Sequence, residues 1–352
     1  MDRVDYSNDT PTASPKGPLS AAKWYMGSTS NLDYGYWTGG RNEPAGNVGT
    51  SIIERLDFAS DTTTASPKGY MDSAKHSTGN TSARANGMPT ANPPVAAPVQ
   101  PPFPYPVQAH NPAGYGYFAG GYSTSPSSTV LSQTQRIDFS NDTATAVLKG
   151  NLTINAASAD KQSGTGSPSH GYIAGGNPSS TNADRIDYSN DTATTSPKGA
   201  LLVRRNNHAA VGNKDYLYNG GGGYGSPTTS KIDRLDYASD TSTAAEKGPL
   251  SSARYYLAAV GNASYGYFAG GYPGNKSTVD RVDYSSDTDT ASPKGPLSSG
   301  RYGAGGTSNA SYGWIAGVRQ PSKSIVDRID FSNDTATSSP KGPMASANGY
   351  KA

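Results

Sequence analysis

The residues best equipped for chemistry in this 352-residue chain recur at fixed spacing. Seven times the sequence reads Arg, an aliphatic residue, Asp, then Tyr or Phe, starting at Arg3, Arg55, Arg136, Arg185, Arg234, Arg281 and Arg328. Each copy continues to Asp-Thr (Asp9, Asp61, Asp142, Asp191, Asp240, Asp287, Asp334) and then to Lys-Gly (Lys16, Lys68, Lys149, Lys198, Lys247, Lys294, Lys341). These sets take 14 of the 29 basic and 14 of the 27 acidic residues. An Arg and an Asp at i and i+2 share one face of a strand. A sevenfold set of such pairs could be seven active sites or a ladder of ion pairs within or between repeats. The ladder is the expectation, with the pairs fixing register more than adding stability.

Other chemistry finds little support. Cysteine is absent, which removes thiolate nucleophiles, disulfides and Cys-based metal sites. The four histidines, His76, His110, His170 and His208, fall at unrelated positions and form no His-x-x-x-His or His-Glu pairing, so no metal site is expected. The three glutamates, Glu43, Glu54 and Glu246, show no clear carboxylate partner for acid–base work. The turn sequence Asp-Tyr-Ser-Asn-Asp-Thr is rich in oxygen but lacks the Gly and distal Glu of an EF-hand loop. Asp and Asn favour such turns on local grounds. Four of these turns are also Asn-Asp-Thr glycosylation sequons, at Asn8, Asn141, Asn190 and Asn333. Gly-Gly pairs recur without a following Gly-Lys-Ser/Thr, so they are read as tight turns and not as phosphate loops. No catalytic residue and no cofactor are predicted.

The elements that carry these residues are short and β-rich. Hydrophobic residues make up 33% of the chain, with 24 Tyr and 42 Gly, and mean hydropathy is −0.64. That composition excludes a conventional large core, while a net charge of +2 argues against disorder and gives no reason to expect nucleic acid. No apolar run is long enough to span a membrane, and the start of the sequence lacks the features of a secretory signal. A second phrase, Tyr-Gly-Tyr-x-x-Gly-Gly or a relative, precedes six of the seven Arg-x-Asp copies, at residues 34–40, 115–121, 171–176, 216–221, 265–271 and 312–317. The clearest unit, 249–295, reads as four strands: an inner one over 252–260, one over 265–271 ending in Gly-Gly, one over 278–284 with period-2 alternation, and an outer one over 290–293. The proline of the outer strand suits an edge.

Strand, Gly-Gly, variable loop, strand ending in an aromatic, turn, strand, then Pro-Leu-Ser-x-Ala-Arg resembles the kelch repeat, over nearly the whole chain except residues 85–112. The copies carry Asp-Tyr where kelch repeats carry Tyr-Asp, and none of Trp24, Trp37 or Trp314 lies in an outer strand. Their Ser/Asn/Asp/Thr-rich style is also similar to kelch-like repeat proteins of bacteriophages and other aquatic viruses. The resemblance implies an all-β, seven-bladed kelch-like β-propeller forming a single domain over 1–352. Its last blade is closed by the N- and C-terminal strands: residues 2–17 supply two outer strands, residues 343–352 supply an inner one, and the Gly-Gly strand is missing. An open array is the alternative. Some kelch-like propellers are copper oxidases with a Cys-derived cofactor, and the lack of Cys keeps that activity from being carried over.

Two places depart from the repeat. Residues 85–112, an insertion within the second repeat, have nine prolines between 89 and 112 and favour extended polyproline II. This stretch reads as a solvated excursion or as an arm that docks on a neighbouring subunit through Phe103 and Tyr105. The loops after the Gly-Gly strand differ most between copies and should emerge on one face. They carry Arg41, Tyr122, Tyr224, Tyr272, Lys276 and Arg319, the candidate binding residues. The function expected from these features is a non-enzymatic structural or binding module. By resemblance it is a virion surface or tail fibre protein that attaches to other virion or assembly proteins, or to a cell-surface glycan. A propeller enzyme acting on polysaccharide and a bacterial surface adhesin are the alternatives.

Overall fold

The structure, a computed structural model, describes residues 2–3, 14–15, 18–21, 23–24, 26–30, 34–42, 48–60, 64–76, 79–82, 115–123, 129–138, 145–153, 162–167, 169–177, 180–223, 227–318 and 323–341. Strands dominate them, with a single 3-10 turn at Tyr237–Ser239. The fifth unit shows the plan. Ala258–Gly261, Tyr265–Ala269, Val279–Asp283 and Ser292–Pro293 pair antiparallel in sequence order. The same order recurs in sheets beginning at Gly79–Ser82, Ser163–Gly166, Ala209–Gly212 and Gly305–Ser308. A sixth set, Gly27–Ser30, Tyr34–Thr38, Val48–Asp57 and Ser66–His76, is extended through Tyr122–Ser123 and Thr129–Val130 on one side and through Arg41–Asn42 and Lys23–Trp24 off Val48–Asp57 into an eight-stranded sheet. First strands of successive sheets lie side by side, which makes the arrangement propeller-like.

The inner strand is shorter than its sequence suggests. Residues 252–257 form a loop because Arg254 is drawn out of the strand ladder and fully buried. The outer strand is short because its proline sits where the amide faces away from the sheet. Lys294, the next residue, is the one that donates inward, to Val279 O at 2.8 Å.

The described residues share no single core. Alternating side chains of each second strand enter the two flanking interfaces, so each interface has its own small cluster. Tyr267 stacks on Phe331 of the next sheet, with ring centroids 4.8 Å apart, and Tyr117–Tyr188, Tyr172–Tyr237 and Tyr218–Tyr284 repeat the stack. Tyrosine thus supplies the apolar area that the sparse aliphatic residues do not.

The repeated charges lock these interfaces, with a different partner from the one spacing suggests. Arg234 does not pair with Asp236. It reaches Asp287, the turn Asp of the next unit, at 2.7 Å. Lys247 meets the other oxygen of Asp287 at 2.9 Å, and the Tyr218 hydroxyl donates to it at 2.7 Å. The same triple donation falls on Asp191, Asp240 and Asp334. The Asp at i+2 caps its own turn: Asp283 accepts from Ser285 N and Oγ, which accounts for the oxygen-rich loop without a cation. The Gly of Lys-Gly is needed for approach. Gly248 N donates to Asp287 O, and a Cβ there would lie 1.4 Å from Asp289 O.

In four of the six sheets a second, deeper ion-pair clasp uses the residue before the repeated Arg. Arg254–Asp280, Arg205–Asp233 and Arg301–Asp327 are ion pairs with both side chains fully buried. In the first sheet Lys23 and Glu54 take the same places, so Glu54 is a structural clasp residue.

The N-terminal strands follow the same grammar. Asp2 pairs with Pro15 and Arg3 with Ser14, the register of Asp280 with Pro293 and Arg281 with Ser292. Ala65 N donates to Pro18 O just as Ala291 N donates to Pro249 O. Residues 343–352 lie outside the described residues, as do Phe103, Tyr105 and the rest of the Pro-rich insertion between Ser82 and Tyr115. No described helix is long and apolar enough to cross a membrane.

Candidate functional site

With most repeated charges consumed in clasps, the place to look is where the copies differ. Antiparallel order puts two connections at the same end of every sheet: the loop after Gly-Gly and the segment leading to the next inner strand. They touch at equivalent points. Tyr255 and Tyr272 exchange both backbone hydrogen bonds, at 2.9 and 2.8 Å. Trp24 pairs with Arg41 and His76 with Tyr122 at the same repeat positions, and Gly223 N donates to Asn206 O. Arg41, Tyr122 and Tyr272 therefore occupy one equivalent site in three units, each facing a different partner across a short ladder. Their shared position defines a rim of paired, variable residues carried on an invariant frame.

Of the expected residues, Arg41 is half-buried in the short strand Arg41–Asn42, and Tyr122 lies in Tyr122–Ser123. Tyr272 is 38% exposed. Lys276 is half-buried, with its amide bound to Gly271 O and its carbonyl accepting from Arg301 N. Tyr224 and Arg319 lie outside the described residues. The structure brings Tyr272 and Lys276 into one tight loop; Arg41 and Tyr122 belong to other units.

Around Tyr272 the rim becomes aromatic. Tyr272 contacts Tyr255 (centroids 5.4 Å apart) and Tyr302 (5.3 Å). Tyr256 contacts both Tyr255 (5.3 Å) and Tyr302 (6.0 Å), closing a cycle of four rings drawn from two adjacent units. The backbone beneath is fixed across units: Tyr256 N donates to Asn207 O and Gly303 N to Tyr256 O. Tyr256 has φ +56°, and its counterparts Asn207 and Gly303 have φ +48° and +65°. Asn and Gly tolerate that left-handed backbone; a tyrosine there carries a cost of about 1–2 kcal/mol. Residues 255, 256 and 302 were not singled out by sequence. Their signal was the aromatic pair after the buried Arg, visible once the copies are aligned on Arg205, Arg254 and Arg301.

No protein-family model matches the chain, and no curated protein matches it. Among solved structures the chain superposes on the structure of YjhT with a TM-score of 0.60. Identity is 14%, over 87% of this chain and 93% of that chain. That likeness concerns the fold alone.

The electrostatics of this end are quiet. His208, beside the rim segment Asn206–Asn207, is pushed down to about 3 by burial and by the Arg205 charge, against a hydrogen bond with Asn219, so it is a neutral packing residue. Among the described residues no group of three or more His, Asp or Glu could hold a metal ion. The carboxylates of Asp280 and Asp327 are paired with Arg254 and Arg301, all four side chains fully buried. What the rim offers is aromatic surface with hydroxyl groups and rigid backbone.

Proposed function

We propose that the chain is a non-enzymatic binding module, a virion surface or tail protein that attaches its particle to a host glycan or a neighbouring virion protein. The observation that carries this reading is the division of labour between invariant and variable residues. The repeated charges close on one another between units, and the differences gather on one rim where Tyr255, Tyr256, Tyr272 and Tyr302 meet. Rigid frames with variable loops suit recognition. The virion setting rests on resemblance to kelch-like viral repeats. The test is to purify native particles and assemblies from the source culture, assign the chain by mass spectrometry, and measure binding of the recombinant chain to host cells. Recovery only as free protein without surface affinity, or release of reducing ends from polysaccharide, overturns the reading.

The frame in this proposal is a closed, seven-bladed kelch-like propeller. The register of Asp2–Arg3 with Ser14–Pro15 supports it, since these strands match the third and outer strands of a unit. In a closed ring the unit that ends at Ser339–Lys341 meets the one that holds Asp2–Arg3 as every other unit meets its neighbour. Substituting the turn Asp of the first sequence copy, Asp9→Asn, should then lower stability as Asp287→Asn does, by about 3 kcal/mol; an open array predicts almost no change in urea unfolding.

A further inference from the structure

We infer that the four-tyrosine cycle of Tyr255, Tyr256, Tyr272 and Tyr302 is a saccharide site that takes one or two pyranose units against Tyr272. The inference deepens the attachment reading and rests on it. Three features of the cycle select the ligand class. First, it is small. A protein partner needs about 800 Å² per side, and here only Tyr272 is more than a third exposed, while Tyr302 is 7% exposed. Second, it is amphipathic and not charged. Tyr272 offers an exposed ring and hydroxyl group backed by three further phenol rings, the composition that meets the C–H face and hydroxyl rim of a sugar. The guanidiniums beneath, Arg254 and Arg301, are fully buried against Asp280 and Asp327, which leaves them out of recognition. Third, it is preorganised at a cost. Tyr272 is pinned by two backbone hydrogen bonds to Tyr255, and Tyr256 by one bond to each neighbouring unit. Tyr256 keeps its ring in a left-handed backbone where the equivalent positions hold Asn207 and Gly303. Strain of this kind gathers at ligand sites, and here it is what carries the fourth ring.

The experiment titrates the whole chain with chitotetraose, cellotetraose, mannotetraose and a hyaluronan tetrasaccharide, following near-UV tyrosine difference absorbance and saturation-transfer NMR. At least one tetrasaccharide should bind and perturb tyrosine absorbance. Tyr272→Ala should weaken it tenfold or more, and Tyr272→Phe by less than threefold. Tyr256→Gly separates binding from folding: it relieves the left-handed strain, so thermal stability should hold or rise while affinity falls at least fivefold. A structural role for the ring would lower stability in this variant and leave affinity alone. If a tetrasaccharide binds with unchanged affinity in Tyr272→Ala and Tyr256→Gly, the site is wrong and the attachment reading survives. If host cells or a virion protein are bound but none of the four tetrasaccharides is, the ligand class is wrong. If nothing is bound, both fall.

Discussion

Replacing Asp287 by Asn tests the clasp between units most directly. The carboxylate is 7% exposed and takes three donors: the Tyr218 hydroxyl and Arg234 on one oxygen, Lys247 on the other. Asn keeps one carbonyl oxygen and loses the charge, leaving two cations of one sheet with no counter-charge across the interface. Removing one partner of a buried pair costs about 3–5 kcal/mol. The side chains of Arg234 and Lys247 retain 22% and 11% of their exposure, so water recovers part of the loss and about 3 kcal/mol is expected. Tyr218→Phe removes one hydrogen bond to a charged acceptor, about 1.5 kcal/mol. Because both changes act on one oxygen, the double variant should fall short of their sum by at least ~0.5 kcal/mol. Asp283→Asn is the control. That residue only caps its turn through Ser285, a task Asn performs equally well, so its cost should stay below about 0.5 kcal/mol. Urea unfolding at unchanged m reads all four variants. A cost under about 1 kcal/mol for Asp287→Asn, or a larger one for Asp283→Asn, refutes the assignment of the clasp.

Acid should act in two stages. His208 has its folded value lowered to about 3, so its contribution is complete above the unfolded value near ~6.5 and is lost as pH falls towards 3; urea midpoints should decline over that window and His208→Gln should flatten the decline. Asp240 and Asp287 are held below the usual carboxylate range: burial works against this, but hydrogen bonds from tyrosine and lysine and the nearby cations outweigh it, so their share is lost only below about pH 4. Tyr284 buries a hydroxyl with no protein partner, and Phe331 fills the same place one unit later; Tyr284→Phe should raise stability by about 1 kcal/mol in urea unfolding. Gly248→Ala would drive a Cβ into Asp289 O and should cost about 3 kcal/mol, read as a drop in melting temperature.

Much of the fold is legible in the chain because each unit repeats both its strands and its punctuation. Gly-Gly and Lys-Gly close strands in most of the described units, with Lys68 and Gly317 inside longer strands as exceptions, and Val279–Asp283 is a strand with Arg281 and Asp283 half-exposed on one face. The outer proline is tolerated for the reason its edge position implies, an amide that faces away from the sheet. Partner choice is less legible. Spacing within a strand pairs Arg234 with Asp236, but the neighbouring sheet brings Asp287 closer to the guanidinium, and only packing across units reveals it. The buried Arg254 was read as part of a strand since apolar residues follow it; its true partner, Asp280, stands 26 positions away. The rim is half legible. Tyr272 follows from loop variation, whereas Tyr255, Tyr256 and Tyr302 gain meaning only when two connections from adjacent units meet.

The clasp also bears on how such a chain can change. Among the described residues four units carry a plug, their Tyr, Arg and Lys, and each plug fits a socket, the turn Asp, one copy downstream. A substitution in either half is felt by a neighbour, so copies are held to a common spelling at these positions. Insertion or loss of a whole unit, by contrast, leaves every plug facing a socket. The contact rule is indifferent to how many units there are, and it leaves the rim loops, which belong to neither half, free to diverge copy by copy.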